Sequence, residues 1–348
     1  MTEPRILLGE EALLQQLPAL LHSRGKQRVL LAGGPHFLQS GAGGALRAAL
    51  GPLLAIERSA PTGLLQASSL KTEAQQLSKG IDAVVAVGGG RSIDYAKALM
   101  YYASLAPDFF AAVPTTAGSG SDATSFAVVY EGVEKLSLAH PALLPNVVVW
   151  DETLLTGLPQ RQRAISGLDA LVQCLESLWS LRGTPASRAL AWEAGSWLWK
   201  QLPYFVETPT SERAIGALYA AHYSGRAINI SRTTGPHALS YYLTAVHNID
   251  HGHAVALLLP VFLRYNAASD AIDAVLELLG AADAESAVQG WQRYLHELGV
   301  ESSLSALGIV PSAVGDWLNH VNGERFANNP VPLDAVRLGR LLHQTLFV

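Results

Sequence analysis

Along its first 150 positions the chain alternates short aliphatic runs with stretches whose apolar residues recur at three- and four-residue spacing. The runs Arg28 to Ala32, Ala83 to Val87, Ala111 to Val113 and Val147 to Val149 predict strands, and the stretches between them predict helices. This alternation is the signature of βαβ units around a parallel sheet. The first three strands run into turn residues: Gly33-Gly34-Pro35, Gly88-Gly89-Gly90, and Pro114-Thr115-Thr116-Ala117-Gly118-Ser119-Gly120. Small and polar residues therefore collect at the carboxyl edge of one sheet, where open α/β sheets take their ligands.

From about Ser166 the strand-like runs nearly vanish and the helical period takes over. Segments 166–181, 186–202, 211–229, 235–246 and 252–266 are predicted helices, punctuated by Pro203 and Pro209, with Trp192, Trp197 and Trp199 expected to pack a core. The boundary falls near Asp151 to Pro159, giving an α/β domain over residues 1–155 and a helical domain over 156–348. No internal repeat, low-complexity tract or charged tail interrupts this plan.

Composition agrees with two folded domains: the 348 residues are 49% hydrophobic, and the length is about twice that of an average domain. Only 15% of residues are charged, with 24 Lys+Arg against 29 Asp+Glu. A net charge of -5 supplies no broad basic field, so nucleic acid and anionic membrane are not expected partners. The single cysteine, Cys174, cannot form an internal disulfide and suits a reducing compartment. Met1-Thr2-Glu3-Pro4-Arg5 lacks the character of a signal peptide, and aliphatic stretches such as Ala254 to Leu259 are too short to span a bilayer. The expectation is a cytoplasmic, soluble protein.

Candidate chemistry begins at Val84 to Lys97, V-V-A-V-G-G-G-R-S-I-D-Y-A-K. A strand runs into three glycines and then a helix starting near Ser92, so free N–H groups and the helix's positive end converge on an anion site. Gly88, Gly89 and Gly90 allow a pyrophosphate to approach, and Arg91 adds a cation. The plainer reading is a strand-to-helix turn with Asp94 facing solvent. In the second loop, Pro114 to Asp122, the hydroxyls of Thr115, Thr116 and Ser119 can bind ribose, adenine or phosphate oxygens; its plainer reading is a helix entry capped by Ser121 or Asp122. Two such loops at successive sheet edges favour a nucleotide.

In the helical half, Asp169 and Gln173 lie four apart on one helical face, and His237 and His251 follow, separated by 14 residues. Two imidazoles and a carboxylate suit zinc or ferrous iron with a coordination position left open, and a cation there polarises a carbonyl or acidifies an alcohol. Spacing alone does not bring these helices together. With 11 histidines in the chain, ordinary core and surface roles stand beside that reading.

The succession G-G-G-R-S-I-D-Y-A-K at 88–97, P-T-T-A-G-S-G-S-D at 114–122, G-L-D-A-L-V-Q-C-L-E at 167–176, P-H-A-L-S-Y-Y-L-T at 236–244 and H-G-H-A-V-A-L-L-L-P at 251–260 resembles the iron-containing alcohol dehydrogenase superfamily. The likeness extends to Ala327-Asn328-Asn329-Pro330 near the end. Glycerol dehydrogenases, maleylacetate reductases and dehydroquinate synthases share the architecture. The resemblance implies an amino-terminal Rossmann-like domain, a helical carboxyl-terminal domain, and a cleft holding NAD or NADP and a divalent metal, iron or zinc. By position it places the glycines on the pyrophosphate with Asp94 and Lys97 beside it, Thr115, Thr116 and Ser119 on the nucleotide, and Lys135 near the ribose. Asp169, His237 and His251 fall on metal-ligand positions, and Gln173 stands where metal-dependent relatives commonly have His, either as an occasional fourth ligand or as a donor that supports the other three. Tyr241 replaces another histidine often found near the substrate.

Two features bear on specificity. Gly33-Gly34 stands where many relatives place Asp, which leaves NAD and NADP both open. Arg226 and Arg232, before the first metal His, can bind a carboxylate, phosphonate or phosphate, or can be ordinary helix-end cations. This stretch is similar to the subgroup of phosphonoacetaldehyde reductases and sugar-acid 8-oxidases. The expected reaction is hydride transfer between nicotinamide and a small alcohol or aldehyde, with Tyr241 or His253 moving the proton, in a protein that can form homodimers. A dehydroquinate synthase-like lyase and a noncatalytic nucleotide-binding relative are the alternatives.

Overall fold

The structure, a computed structural model, describes residues 3–77 and 80–347. Met1 and Thr2, included in the amino-terminal reading, lie outside the described residues. The chain divides into two compact units: Met1–Leu158 with Thr210–Leu218, and Pro159–Pro209 with Tyr219–Val348. The start of the helix Ser211–Ser231 thus groups with the first unit, which a contiguous division at 155/156 does not anticipate.

The first unit is built on six parallel strands, β1 (Arg5–Leu8), β2 (Val29–Gly33), β3 (Leu54–Ser59), β4 (Ala83–Gly88), β5 (Phe109–Pro114) and β8 (Val147–Trp150), in the order β1-β8-β5-β4-β2-β3. Both faces of the sheet are covered. Along β4, Ala83, Val85 and Val87 enter one apolar core while Val84 and Ala86 enter the other, which is why the central strands read as unbroken aliphatic runs. The edge strands carry charge at Arg5, Glu57 and Arg58 and escape a reading based on such runs. A separate antiparallel hairpin, β6 (Phe126–Glu131) and β7 (Glu134–Ala139), was also not anticipated. The chain moves outward from β2 to β3 and returns past β2 to form β4, so the carboxyl ends of β2 and β4 flank a topological switch point. Gly34 N–H donates to the Val87 carbonyl at 3.0 Å there, setting the two glycine turns side by side.

The second unit is helical. Its chief elements are α1 (Gln160–Trp179), α2 (Pro185–Glu207), α3 (Ser211–Ser231, from Tyr219 onward), α4 (Gly235–His247), α5 (His251–Asn266), α6 (Ala284–Glu297), α7 (Gly323–Phe326) and α8 (Ala335–Leu346). Pro203 lies inside α2 and Pro260 inside α5, so Pro203 does not end its helix as expected. Trp199 stacks on Trp291, with ring centroids 6.2 Å apart, and joins the core, whereas Trp192 is 36% exposed. Among the described residues no helix is long and apolar enough to cross a membrane.

Candidate functional site

Each unit carries one chemically distinctive cluster. In the first, the helix Gly90–Tyr102 follows β4, its cap residue is Gly89, and no side chain caps it, so the first N–H groups remain available to an anion. Gly88 has φ +143°, a conformation that only glycine adopts without strain, and a Cβ there would lie 2.6 Å from the Ser92 side chain. A Cβ on Gly90 would lie 2.2 Å from Ser119 Oγ, and one on Gly89 would lie 3.2 Å from Thr116 Oγ1. The two predicted loops therefore fit into one another, and Thr115 N–H donates to the Gly88 carbonyl at 3.0 Å. The exposed Arg91 donates to the Gly63 carbonyl at 3.4 Å. Lys135 is buried on β7 and donates to Ser137 Oγ at 2.5 Å.

Asp94 and Lys97 are placed differently from the sequence expectation. Asp94 is buried, neither facing solvent nor open to a ligand: it accepts from Ser121 Oγ at 2.7 Å and from Val128 N–H at 2.9 Å. Burial raises its carboxyl above the ordinary range despite the opposing charge of Lys97. Lys97 is fully buried, with Nζ donating to the carbonyls of Ser121 (2.5 Å), Thr124 (2.7 Å) and Phe126 (3.1 Å) and to Thr124 Oγ1 (3.0 Å). Burial pushes its ammonium down to about 8, against the charges of Asp94 and Asp122. An ammonium has three protons to donate, and all are committed within the protein. The pair anchors the second loop to the helix of the first.

In the second unit, Asp169, His237 and His251 come together, with one ligand atom from each all within 4.8 Å of one another. Asp169 Oδ1 lies 3.4 Å from His237 Nε2 and 4.0 Å from His251 Nε2. Donors bound about 2.0–2.2 Å from a shared cation stand about 3–4 Å from one another, so the spacing fits one ion. Gly252 makes the approach possible, since a Cβ there would lie 2.0 Å from the Ile165 carbonyl oxygen of α1. Asp169 and His237 are buried, and the His251 side chain keeps 33% exposure, leaving an open face.

Behind these donors stands Glu176, which the sequence reading did not single out. It is fully buried, seven residues after Asp169 on the same face of α1. One carboxylate oxygen meets His237 Nδ1, and the other accepts from the Thr234 N–H (2.8 Å), the Thr234 hydroxyl (3.0 Å) and the His237 N–H (3.3 Å). An imidazole held at Nδ1 by a carboxylate turns Nε2 toward a metal, the usual support of a metal-binding histidine. Burial disfavours the His237 imidazolium, but Glu176 and Asp169 outweigh it and lift the ring to about 9. For Asp169 burial also opposes charge, and His237 and His251 more than compensate, holding the carboxyl below its ordinary range. Two buried carboxylates facing imidazoles form a donor set that favours a cation.

Gln173 is near this set in another role. Its amide nitrogen donates to Asp169 Oδ1 at 3.1 Å, and its oxygen accepts from Ser224 Oγ at 2.5 Å, so it supports the carboxylate and its oxygen is turned to Ser224. Tyr241, one turn after His237, stacks on His251 with ring centroids 5.7 Å apart and planes at 6°. His253 is not part of the cluster. Two residues along a helix is about 200°, so it points away from His251, and its ring nitrogens meet the Glu301 carbonyl (2.8 Å) and Arg161 (3.3 Å). Arg226 lies over the Tyr223 ring at 4.9 Å.

The pattern of the family described as iron-containing alcohol dehydrogenase matches residues 4–152, and that of the Fe-containing alcohol dehydrogenase family, C-terminal, matches residues 163–346. A phosphonoacetaldehyde reductase of Streptomyces viridochromogenes is 33% identical over 308 residues, covering 75% of each chain. A maleylacetate reductase of a Rhizobium species is 31% identical over 288 residues, covering 82% of this chain and 80% of its own. Among solved structures, a sulfoacetaldehyde reductase from Bifidobacterium kashiwanohense in complex with NAD+ superposes with a TM-score of 0.87 over 99% of this chain and 97% of its own, at 23% identity.

Proposed function

The chain belongs to the iron-containing alcohol dehydrogenase family, and from that premise we propose that its glycine loops bind the nicotinamide cofactor while Asp169, His237 and His251 hold the divalent metal. The activity is that of the family: an NAD(P)-linked alcohol dehydrogenase or aldehyde reductase acting on a small alcohol or aldehyde. In the reducing direction a hydride goes from the reduced nicotinamide to the carbonyl carbon and a proton to its oxygen, giving the alcohol and the oxidised cofactor.

The observation that carries the metal assignment is the convergence of three donors from α1, α4 and α5, backed by the Glu176 carboxylate. A divalent cation bound there supplies Lewis acidity toward a substrate oxygen. Asp169 contributes the negative charge, fixed in direction by the Gln173 amide. Glu176 holds the His237 ring so that Nε2 is the nitrogen offered. Tyr241, flat against His251, is the candidate for moving the proton, and burial raises its phenol above the ordinary range, which keeps it protonated at neutral pH. In the first unit, Gly88, Gly89 and Gly90 admit the pyrophosphate to the helix N-terminus, Thr115, Thr116, Ser119 and Lys135 line the nucleotide, and Asp94 and Lys97 keep the loops in register. Either iron or zinc suits these donors, and the reading includes a cytoplasmic homodimer.

Metal analysis of the purified protein, combined with turnover of aldehydes using both reduced cofactors, tests this reading. The variant His251→Ala should lose bound metal and at least about 1000-fold in turnover. Full turnover by that variant with no metal bound overturns the assignment. Stoichiometric alcohol and oxidised nicotinamide separate the reductase from a lyase that regenerates its cofactor, and from a noncatalytic relative.

A further inference from the structure

The turn between α3 and α4 is gripped by the end of α1. The turn is tight: Arg232 takes φ +60°, an uncommon conformation for a non-glycine residue, with its N–H donating to the Ile228 carbonyl at 3.0 Å. Ser180 Oγ donates to the Ser231 carbonyl at 2.8 Å, the Ser177 and Ser231 hydroxyls meet at 2.8 Å, and Trp179 Nε1–H donates to Thr234 Oγ1 at 2.8 Å. Glu176, Ser177, Trp179, Ser180, Ser231 and Thr234 are all fully buried, so water does not compete for these bonds.

Thr234 occupies the N-cap position of α4, where a threonine usually accepts from the second or third N–H of its own helix. Here its side chain makes no such bond. The N–H of His237, the third residue of α4, donates instead to Glu176 Oε1 at 3.3 Å, and the Thr234 N–H donates to the same oxygen at 2.8 Å. A carboxylate from α1 thus caps α4, and the positive end of that helix stabilises its charge. The threonine hydroxyl is left for a different task.

Its direction follows from its neighbours. An indole N–H only donates and a carboxylate only accepts, so the hydroxyl takes the Trp179 hydrogen on a lone pair and gives its own to Glu176 Oε1 at 3.0 Å. Oε1 then accepts three hydrogen bonds, and Oε2 is the oxygen that meets His237 Nδ1. The chain from Trp179 through Thr234 and Glu176 ends on the ring whose Nε2 lies 3.4 Å from Asp169 Oδ1.

We infer that Thr234 is a positioning residue for the metal-binding imidazole: its hydroxyl, aimed by Trp179, fills one oxygen of Glu176 and so fixes the other, and with it the His237 ring, in the direction the donor set requires. The hydrogen-bonded chain stands on its own geometry, and the metal at its end rests on the function proposed above. Thr234 and Trp179 act through Glu176. One carboxylate therefore serves both the start of α4 and the donor that α4 carries.

The test loads wild type, Thr234→Val, Thr234→Ser and Trp179→Phe with Zn2+ or Co2+. Affinity is read by competition with a chelator, and donor geometry by the visible absorption of the Co2+ form. Thr234→Val, which keeps the shape and removes the hydroxyl, should weaken affinity about tenfold and shift the Co2+ bands, and Thr234→Ser should restore both. Trp179→Phe should weaken affinity about threefold, and should add nothing in the Thr234→Val background, because the indole acts through the hydroxyl. Wild-type affinity and an unshifted Co2+ spectrum in Thr234→Val overturn the proposal. So does a loss of thermal stability alone, which would make the hydroxyl a purely structural group, and so do additive losses in the double variant. If Thr234→Val does not fold, Trp179→Phe decides by the same two readouts. If the wild type binds neither ion, the metal assignment fails, and the proton resonance of His237 Nδ1–H in the metal-free protein still decides the chain. That resonance, identified by its loss in Glu176→Gln, should move in Thr234→Val and hold its place in Thr234→Ser; an unmoved resonance overturns the positioning role.

Discussion

The two units offer different parts of the chain at their candidate sites. In the α/β unit the groups presented are backbone: three glycines at the end of β4 and the uncapped N-terminus of the following helix. The charged side chains nearby, Asp94 and Lys97, are turned inward to fasten one loop to the other. In the helical unit the groups presented are side chains, and the fastening is done by a further layer of side chains, Glu176 behind His237 and Gln173 behind Asp169. A backbone site needs the absence of side chains at a few consecutive positions. A side-chain site needs several helices to arrive in register, and most of its polar residues are engaged in securing that register.

The largest effect that tests this contrast is expected at Lys97. Replacing it with Met removes the ammonium that donates to the carbonyls of Ser121, Thr124 and Phe126 and should cost about 3–5 kcal/mol at neutral pH, measured by urea unfolding. The sign of its pH dependence follows from the depressed amine. Between about 8 and the ordinary lysine value of 10.5 the unfolded chain binds a proton that the folded chain does not, so stability rises with pH across that window. The contribution, on the order of 3 kcal/mol, is lost as pH falls through about 8. Comparing wild type and Lys97→Met at pH 7 and 9.5 isolates it; equal slopes would show that Lys97 is not the titrating anchor.

A smaller effect is expected at Glu176→Gln, which keeps the shape and removes the charge behind His237. Metal affinity, read by competition with a chelator, should weaken about 10–100-fold with the fold retained. Unchanged affinity would mean that the helical site depends on its three donors alone. The smallest belongs to Gly88→Ala, where positive φ and a Cβ 2.6 Å from Ser92 strain the loop. Cofactor dissociation constants should rise about tenfold with metal content unaffected; a matching loss of metal would mean that the two sites are not separable.

The glycine loops were legible because their chemistry is local. Three consecutive glycines between an aliphatic run and a helical period define the turn, the approach and the dipole together. The donor set was legible only as a list of candidates. Nothing in the spacing of Asp169, His237 and His251 distinguishes them from other acids and histidines, and it was the resemblance to a known family that singled them out. His253 shows the limit of reading by proximity: it is two residues from His251, and helix geometry turns it to the opposite side. A signal for Glu176 was present in the i, i+4, i+7 spacing of Asp169, Gln173 and Glu176 along α1, though spacing does not say which helix that face meets.

By itself the amino-acid sequence determined the class of each half, since hydrophobic period is a local property: unbroken runs for strands buried on both faces, three- and four-residue spacing for helices. It also determined the glycine turn after β4, whose requirements are met by neighbouring residues. Only the tertiary structure decided which polar residues are presented and which are tied inward, because that depends on partners tens of residues away. Glu176 finds His237 across 61 positions, Lys97 finds Thr124 across 27, and Arg325 reaches Tyr241 from a separate helix. A buried charge is stable only where the fold supplies its counterparts, and although Asp94 and Lys97 are near in sequence, the carbonyls that hold Lys97 and the imidazole that meets Glu176 come from other segments.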